Sequence, residues 1–95
     1  MNFNFEWDPN KAKSNKEKHG VSFEEAATVF RDPHASTIFD PDHSEAENRW
    51  ITLGVSRNGK LLVVCHTLKT EDRTAIIRIF SSRKATKSEK KQYGE

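Results

Sequence analysis

Arg49-Trp50-Ile51-Thr52-Leu53-Gly54-Val55-Ser56-Arg57-Asn58-Gly59-Lys60-Leu61-Leu62-Val63-Val64-Cys65-His66-Thr67-Leu68 is the stretch that decides the fold. Ile51, Leu53 and Val55 alternate with Thr52, Gly54 and Ser56, the period of a strand with one covered face. Asn58-Gly59 is a strong hairpin signal, because both residue types tolerate the left-handed backbone of a tight turn. The return arm, 60–68, is nearly all apolar, which predicts a central strand covered on both sides. A buried central strand requires neighbours, and the flanking sequence offers them.

Downstream, 74–81 reads as another strand. Thr86 and Glu89, spaced Thr-x-x-Glu, then open a basic helix that runs to Tyr93. Upstream lie a short strand at 36–39 and an acidic loop at 40–47. At the N-terminus, Phe3, Phe5 and Trp7 alternate with polar residues, a strand with one apolar face. Asp8-Pro9 starts a polar helix that His19-Gly20 ends. Ser22-Phe23-Glu24-Glu25 is a capping box for a second helix, whose Phe23, Ala26, Ala27 and Phe30 share one face until Asp32-Pro33 stops it. The expected architecture is a single α+β domain over 1–95. Its order is β-α-α, then an antiparallel β-meander, then a C-terminal helix, with the helices on one sheet face.

At 95 residues, with 34% hydrophobic and 32% charged, the chain affords one thin core. The lone Cys65 excludes an internal disulfide and suits a reducing compartment. The N-terminus has neither the basic nor the apolar region of a secretory signal, and no apolar run reaches the roughly 20 residues of a membrane span. A cytoplasmic protein without membrane contact is expected. Residues 22–48 carry seven acids and one base, whereas 72–95 carry seven bases and three acids. Such polarity suits a polyanion on one face and a basic partner on another, or the two halves pair with each other.

The segment from Arg78 to Glu89 carries the candidate chemistry. Arginine inside an apolar strand needs an anion or a carboxylate to receive it. Arg78, Arg83 and the helix start describe a phosphate seat. Arg49 and Glu47 flank the start of the strand at 49–57, and Lys18-His19 end the first helix. If the last strands pair as a meander, Arg78 and His66 could project from the same face, in a register that the sequence does not give. Together these groups could cleave RNA without a metal: a base activates the 2′-hydroxyl, cations hold the charged phosphorane, and an acid protonates the leaving oxygen. Each also has a structural reading. Glu47 and Arg49 can pair at a strand edge, His66 can be a hydrogen-bonded core histidine, and Lys18-His19 can answer the helix dipole. Tyr93 can be packing, as can Trp7 and Trp50, and Cys65 a buried inert thiol. The four histidines lack metal-ligand spacing, and there is no glycine-rich phosphate loop, so neither metal nor nucleotide cofactor is expected.

The motifs add up to a resemblance. They are Phe5-Glu6-Trp7-Asp8, then Asn15 with Lys18-His19-Gly20-Val21-Ser22-Phe23, and Glu25-Ala26 with Phe30 and Asp32-Pro33. Glu47, Arg49 and Gly54 follow, then Arg78-Ile79 with Ser81 and Arg83, and Ala85-Thr86 with Glu89 and Tyr93. In this order and spacing, over nearly the whole chain, the sequence resembles the BrnT-type toxins of bacterial type II toxin–antitoxin systems, small ribonucleases with a RelE-like fold. The resemblance implies a metal-independent endoribonuclease that inhibits growth by cutting RNA. It also implies neutralisation by a cognate DNA-binding antitoxin of the BrnA type, in a hetero-oligomer that reaches operator DNA through the antitoxin. Carried over, the catalytic candidates are Lys18, His19, Glu47, Arg49, Arg78 and Arg83. The candidate RNA contacts are His66, Lys69, Lys84, Lys87 and Tyr93. In roles, Arg78 and Arg83 clamp the phosphate, Arg49 stabilises the transition state, and Glu47 or His66 moves the proton. Three positions depart from the family pattern: Phe80 and Ser82, where Ile79-Phe80-Ser81-Ser82 replaces the usual Ile-Ile-Ser-Ala, and Lys69, which stands where arginine is common. A competing reading is a non-catalytic RNA- or protein-binding module, such as a decayed toxin retained as a transcriptional co-repressor.

Overall fold

The computed structural model describes residues 2–94. In chain order the elements are β1 (Asn2–Glu6), α1 (Pro9–His19), α2 (Phe23–Thr28), β2 (Ser36–Asp40), β3 (Arg49–Val55), β4 (Leu61–His66), β5 (Lys69–Glu71), β6 (Thr74–Lys84) and α3 (Lys87–Tyr93). Single 3₁₀ turns follow α2 (Val29–Arg31) and β2 (Pro41–His43). The six strands form one sheet in the order β1-β6-β4-β3-β2, with β5 also paired to β6. β4 is therefore central, as its apolar run predicts, and the β3–β4 hairpin turns through Gly59 at φ +77°. Among the described residues no helix is long and apolar enough to cross a membrane.

Local chemistry sets the helix ends. Asp8 caps α1 by accepting from the Asn10 N–H, and Gly20 closes it at φ +71°. Ser22 caps α2 by accepting from Glu25 N–H. The expected capping box is only half made there: the Glu25 carboxylate instead accepts from the Ser56 hydroxyl at 2.8 Å, tying α2 to the β3–β4 turn. At α3 both halves form, between Thr86 and Glu89.

One sheet face packs Leu62, Val64, Ile77 and Ile79 against Val21, Phe23, Ala26 and Val29, with Phe5, Trp7 and Phe30 at the margin. α1 and α2 cover this face. Leu53, Leu61 and Val63 point the other way and meet Ala85 and Tyr93, so α3 lies on the opposite face. The expectation of helices on one face is thus corrected. Strand parity says which residues share a face but not which face a terminal helix chooses. The first strand also escapes the meander: β1 joins β6 in parallel, Phe5 beside Ile77. Where β1 ends, α1 takes its place at the edge. The buried Asn15 amide accepts from the Ser82 N–H at 3.1 Å and donates to its carbonyl at 2.8 Å.

Candidate active site

The site depends on one irregularity. β4 and β6 pair Cys65 with Ser81, but the next pair is His66 with Ile79, which leaves Phe80 as an extra residue. Ile77 and Ile79 face α1 and α2, so uninterrupted alternation would turn Arg83 to that face as well. The bulge resets the alternation. Ser82 goes inward, 1% exposed, while Ser81 and Arg83 join Arg78 and Phe80 on the open face.

His66 goes the other way. It shares the covered face with Leu62 and Val64, is 1% exposed, and meets the Phe30 ring edge-on at 4.8 Å. Its Nδ1 lies 3.0 Å from the Thr67 carbonyl, which can only accept, so the neutral ring donates there and Nε2 accepts from the Thr52 hydroxyl at 2.7 Å. Burial pushes its pKa down despite the Thr67 bond. The expectation that His66 and Arg78 share a face is therefore corrected, and His66 is a core histidine out of reach of RNA.

On the open face a cleft of about 700 Å³ runs from β2 to β6. Its floor is Ile51, Leu53, Val63 and Cys65, and its walls include Lys18, His19, Asp40, His43, Arg83 and Glu89. Cys65 is half-buried on that floor rather than enclosed in the core. Lys18 and His19, from the last turn of α1, also border a shallower groove with Phe80 and Ser81. Arg49 Cζ sits 4.0 Å from the centroid of the Phe80 ring and Lys11 Nζ 5.2 Å from it, a cation–π cluster at the Phe80 departure from the family pattern. Arg49 Nε is buried without a hydrogen-bond partner among the described residues.

Each of the three candidate arginines, Arg49, Arg78 and Arg83, faces a carboxylate. Arg83 binds Glu89 through two parallel bonds of 2.8 and 2.9 Å. Those bonds hold the Glu89 carboxyl down at about 2 and push the Arg83 pKa up. Arg78 lies 3.8 Å from Glu6 and Arg49 3.6 Å from Glu47, looser pairs near solvent. Glu47, Arg49 and Arg78 lie outside the cleft proper, whereas Lys18, His19 and Arg83 line it.

The remaining expected contacts scatter. Lys69 is exposed on β5, and Lys87 is exposed at the first position of α3. Lys84 is exposed in a separate depression with Lys60 and Lys90. The Tyr93 ring packs on the second core, and its hydroxyl donates to Asp32. Burial raises the Asp32 pKa, but hydrogen bonds from Tyr93, Val55 and His34 outweigh it and hold the carboxyl low.

Sequence reasoning passed over Asp40 and His43. His43 Nδ1 is 2.7 Å from Asp40 Oδ2, at the mouth of the cleft. The signal was present in Asp40-Pro41-Asp42-His43: an N-cap Asp, a Pro at the first helical position, and a His three residues after the cap, where side chains reach back.

Residues 7–89 match the family described as ribonuclease toxin, BrnT, of type II toxin–antitoxin system. The chain belongs to the BrnT family. The crystal structure of the Brucella abortus ribonuclease toxin BrnT superposes with a TM-score of 0.59 at 19% identity, covering 92% of this chain and 100% of that one. At that identity the likeness concerns the fold, a mixed α+β sheet with three helices. Comparison with curated proteins gives no match. The BrnT match takes in Lys18, His19, Asp40, His43, Arg83 and Glu89 and stops short of Gln92, which also lines the cleft.

Proposed function

We propose that this BrnT chain is a metal-independent endoribonuclease that works in the cytoplasm and binds RNA across its open face. The bulge at Phe80 is the observation that carries the reading. It gathers Arg78, Phe80 and Arg83 on one face, beside Lys18, His19 and Arg49. Arg83 is the bidentate anion clamp, with Glu89 standing where a phosphate would sit and yielding to it. Arg78 receives a neighbouring phosphate in exchange for its loose pair with Glu6. Arg49, with a desolvated and unpaired Nε, is suited to charge that grows in the transition state. Lys69, Lys84, Lys87 and Tyr93 are peripheral in this reading.

A cognate DNA-binding antitoxin of the BrnA type covers the basic face, and the complex represses its own operon. The overall layout is RelE-like in this proposal. A second reading has one observation in its favour: every one of the three arginines is already paired with a carboxylate, as expected of a non-catalytic co-repressor.

The deciding experiment is cleavage of a defined RNA by purified protein in EDTA without ribosomes, beside Arg78→Ala. The ribonuclease reading expects cutting by the wild type and a loss of roughly 10²–10³-fold in the variant. Binding without cutting by either protein would favour the co-repressor.

A further inference from the structure

We infer that Asp40 and His43 are the proton-transfer pair of this cleft, His43 taking the 2′-hydroxyl proton and Asp40 positioning the imidazole. This inference rests on the ribonuclease reading above and goes beyond it by assigning the general base. With His66 enclosed in the core, proton transfer falls to a group on the open face. Glu47 is exposed and held by one loose contact of 3.6 Å. Asp40, by contrast, is fixed.

Asp40 is 6% exposed and ends β2 directly beside Arg49 of β3. One carboxylate oxygen accepts from the Asp42 N–H at 3.2 Å, and the other meets His43 Nδ1 at 2.7 Å. Its carbonyl accepts from the Ser44 hydroxyl, whose oxygen in turn accepts from the Arg49 N–H at 3.0 Å. The turn that carries His43 is thereby tied to the strand that carries Arg49.

An ionised carboxylate only accepts, so Nδ1 must carry hydrogen, and in the neutral ring the lone pair is then on Nε2. Nε2 has no hydrogen-bond partner among the described residues, and the side chain is 67% exposed while lining the cleft. A buried carboxylate that fixes the tautomer of an accessible imidazole is the arrangement of a general base.

In the step, Nε2 removes the 2′-hydroxyl proton as the 2′-oxygen–phosphorus bond forms and the bond from phosphorus to the 5′-oxygen breaks. The leaving 5′-oxygen takes a proton from water, and His43 later returns its own proton to solvent. The products are a 2′,3′-cyclic phosphate and a 5′-hydroxyl, with no change of oxidation state.

The other titratable and charged groups that line the cleft are Lys18 and His19 of α1, Cys65 of β4, Arg83 of β6 and Glu89 of α3, and Arg49 of β3 lies just outside it, opposite Asp40 in the β2–β3 pair. His19 is the rival imidazole. The test is therefore the pH–rate profile of RNA cleavage by the wild type, His43→Gln, Asp40→Asn and His19→Gln, with thermal melting as the control for folding. His43→Gln should lose 10²–10⁴-fold in kcat and the acid limb of the profile while melting like the wild type. Asp40→Asn should keep the limb at a reduced rate, and His19→Gln should keep it as well. Unimpaired cleavage by His43→Gln, or transfer of the lost limb to His19→Gln, would overturn the assignment alone. Absence of cleavage by the wild type would overturn the ribonuclease reading and this role with it.

Discussion

Arg83 and Glu89 show how one residue pair sets two properties. Glu89 clamps Arg83 and, in the same conformation, accepts from the Thr86 N–H at the start of α3. If a phosphate must displace this carboxylate, Glu89→Gln should bind RNA several-fold more tightly than the wild type, the opposite of Arg83→Ala. Binding to a non-cleavable RNA measures both. The pair also carries a pH signature. The Glu89 carboxyl is depressed from an ordinary 4.5 to about 2, so its stabilisation is complete above 4.5 and is lost as pH falls towards 2. Urea denaturation through that window should show a shallower acid decline in Glu89→Gln. With the Arg83 side chain 42% exposed, solvent screening keeps the effect small. An equal decline in both proteins would mean that the pair adds nothing to the fold. The sequence alone left open whether carboxylate or phosphate answered the arginines. In the isolated chain it is carboxylate, because the capping box that starts α3 aims Glu89 back at the end of β6.

Between elements, Gly54 lets β3 pass close under the 3₁₀ turn that follows α2. A Cβ there would lie 2.7 Å from Val29 Cγ1 and 3.0 Å from Ala35 Cβ. Val29 is fully buried and has nowhere to go. Gly54→Ala should therefore destabilise the protein by about 1–3 kcal/mol, read from chemical denaturation. A neutral outcome would mean that the 3₁₀ turn after α2 floats over β3 rather than packing on it. The elements themselves were largely legible, because period-2 runs, caps and stop signals are local. β5 was not. Its hairpin to β6 turns on Asp72 and Arg73 at φ 46° and 67°, a backbone usually signalled by Asn-Gly or glycine. The Phe80 bulge was hidden for a different reason: an extra residue exists only relative to a partner strand. Because the bulge decides that Arg78 and Arg83 share a face, Lys18, His19 and Arg83 could be named from the sequence without their cleft being visible. The same missing register left His66 open between a core histidine and a partner of Arg78, and its pairing with Ile79 decides for the core.

Over the whole molecule, the charge polarity of the sequence becomes a geometry. The acidic segment supplies Asp40 and His43 at one end of the cleft, and the basic segment supplies Arg83 at the other, with Lys18 beside it. Three strand intervals separate β2 from β6, about 14 Å at the usual spacing, room for a single strand of RNA to lie across the sheet with more than one phosphate engaged. Neutralising phosphates releases counterions, and for single strands the logarithm of affinity falls with the logarithm of salt by about 0.7 per contact. If Lys18, Arg49, Arg78 and Arg83 each meet a phosphate, binding to a non-cleavable RNA should show a slope near −2.8, about four times that increment. Arg78→Ala should reduce the slope by roughly one increment, and Lys69→Ala, out on β5, should leave it unchanged. A flat salt response would mean that the carboxylates keep their arginines and that the basic face serves a protein partner instead. A steep response that Arg78→Ala leaves intact would move the RNA track away from β6. The salt slope counts occupied phosphate sites without requiring catalysis, so it probes the face even in a chain that binds and does not cut.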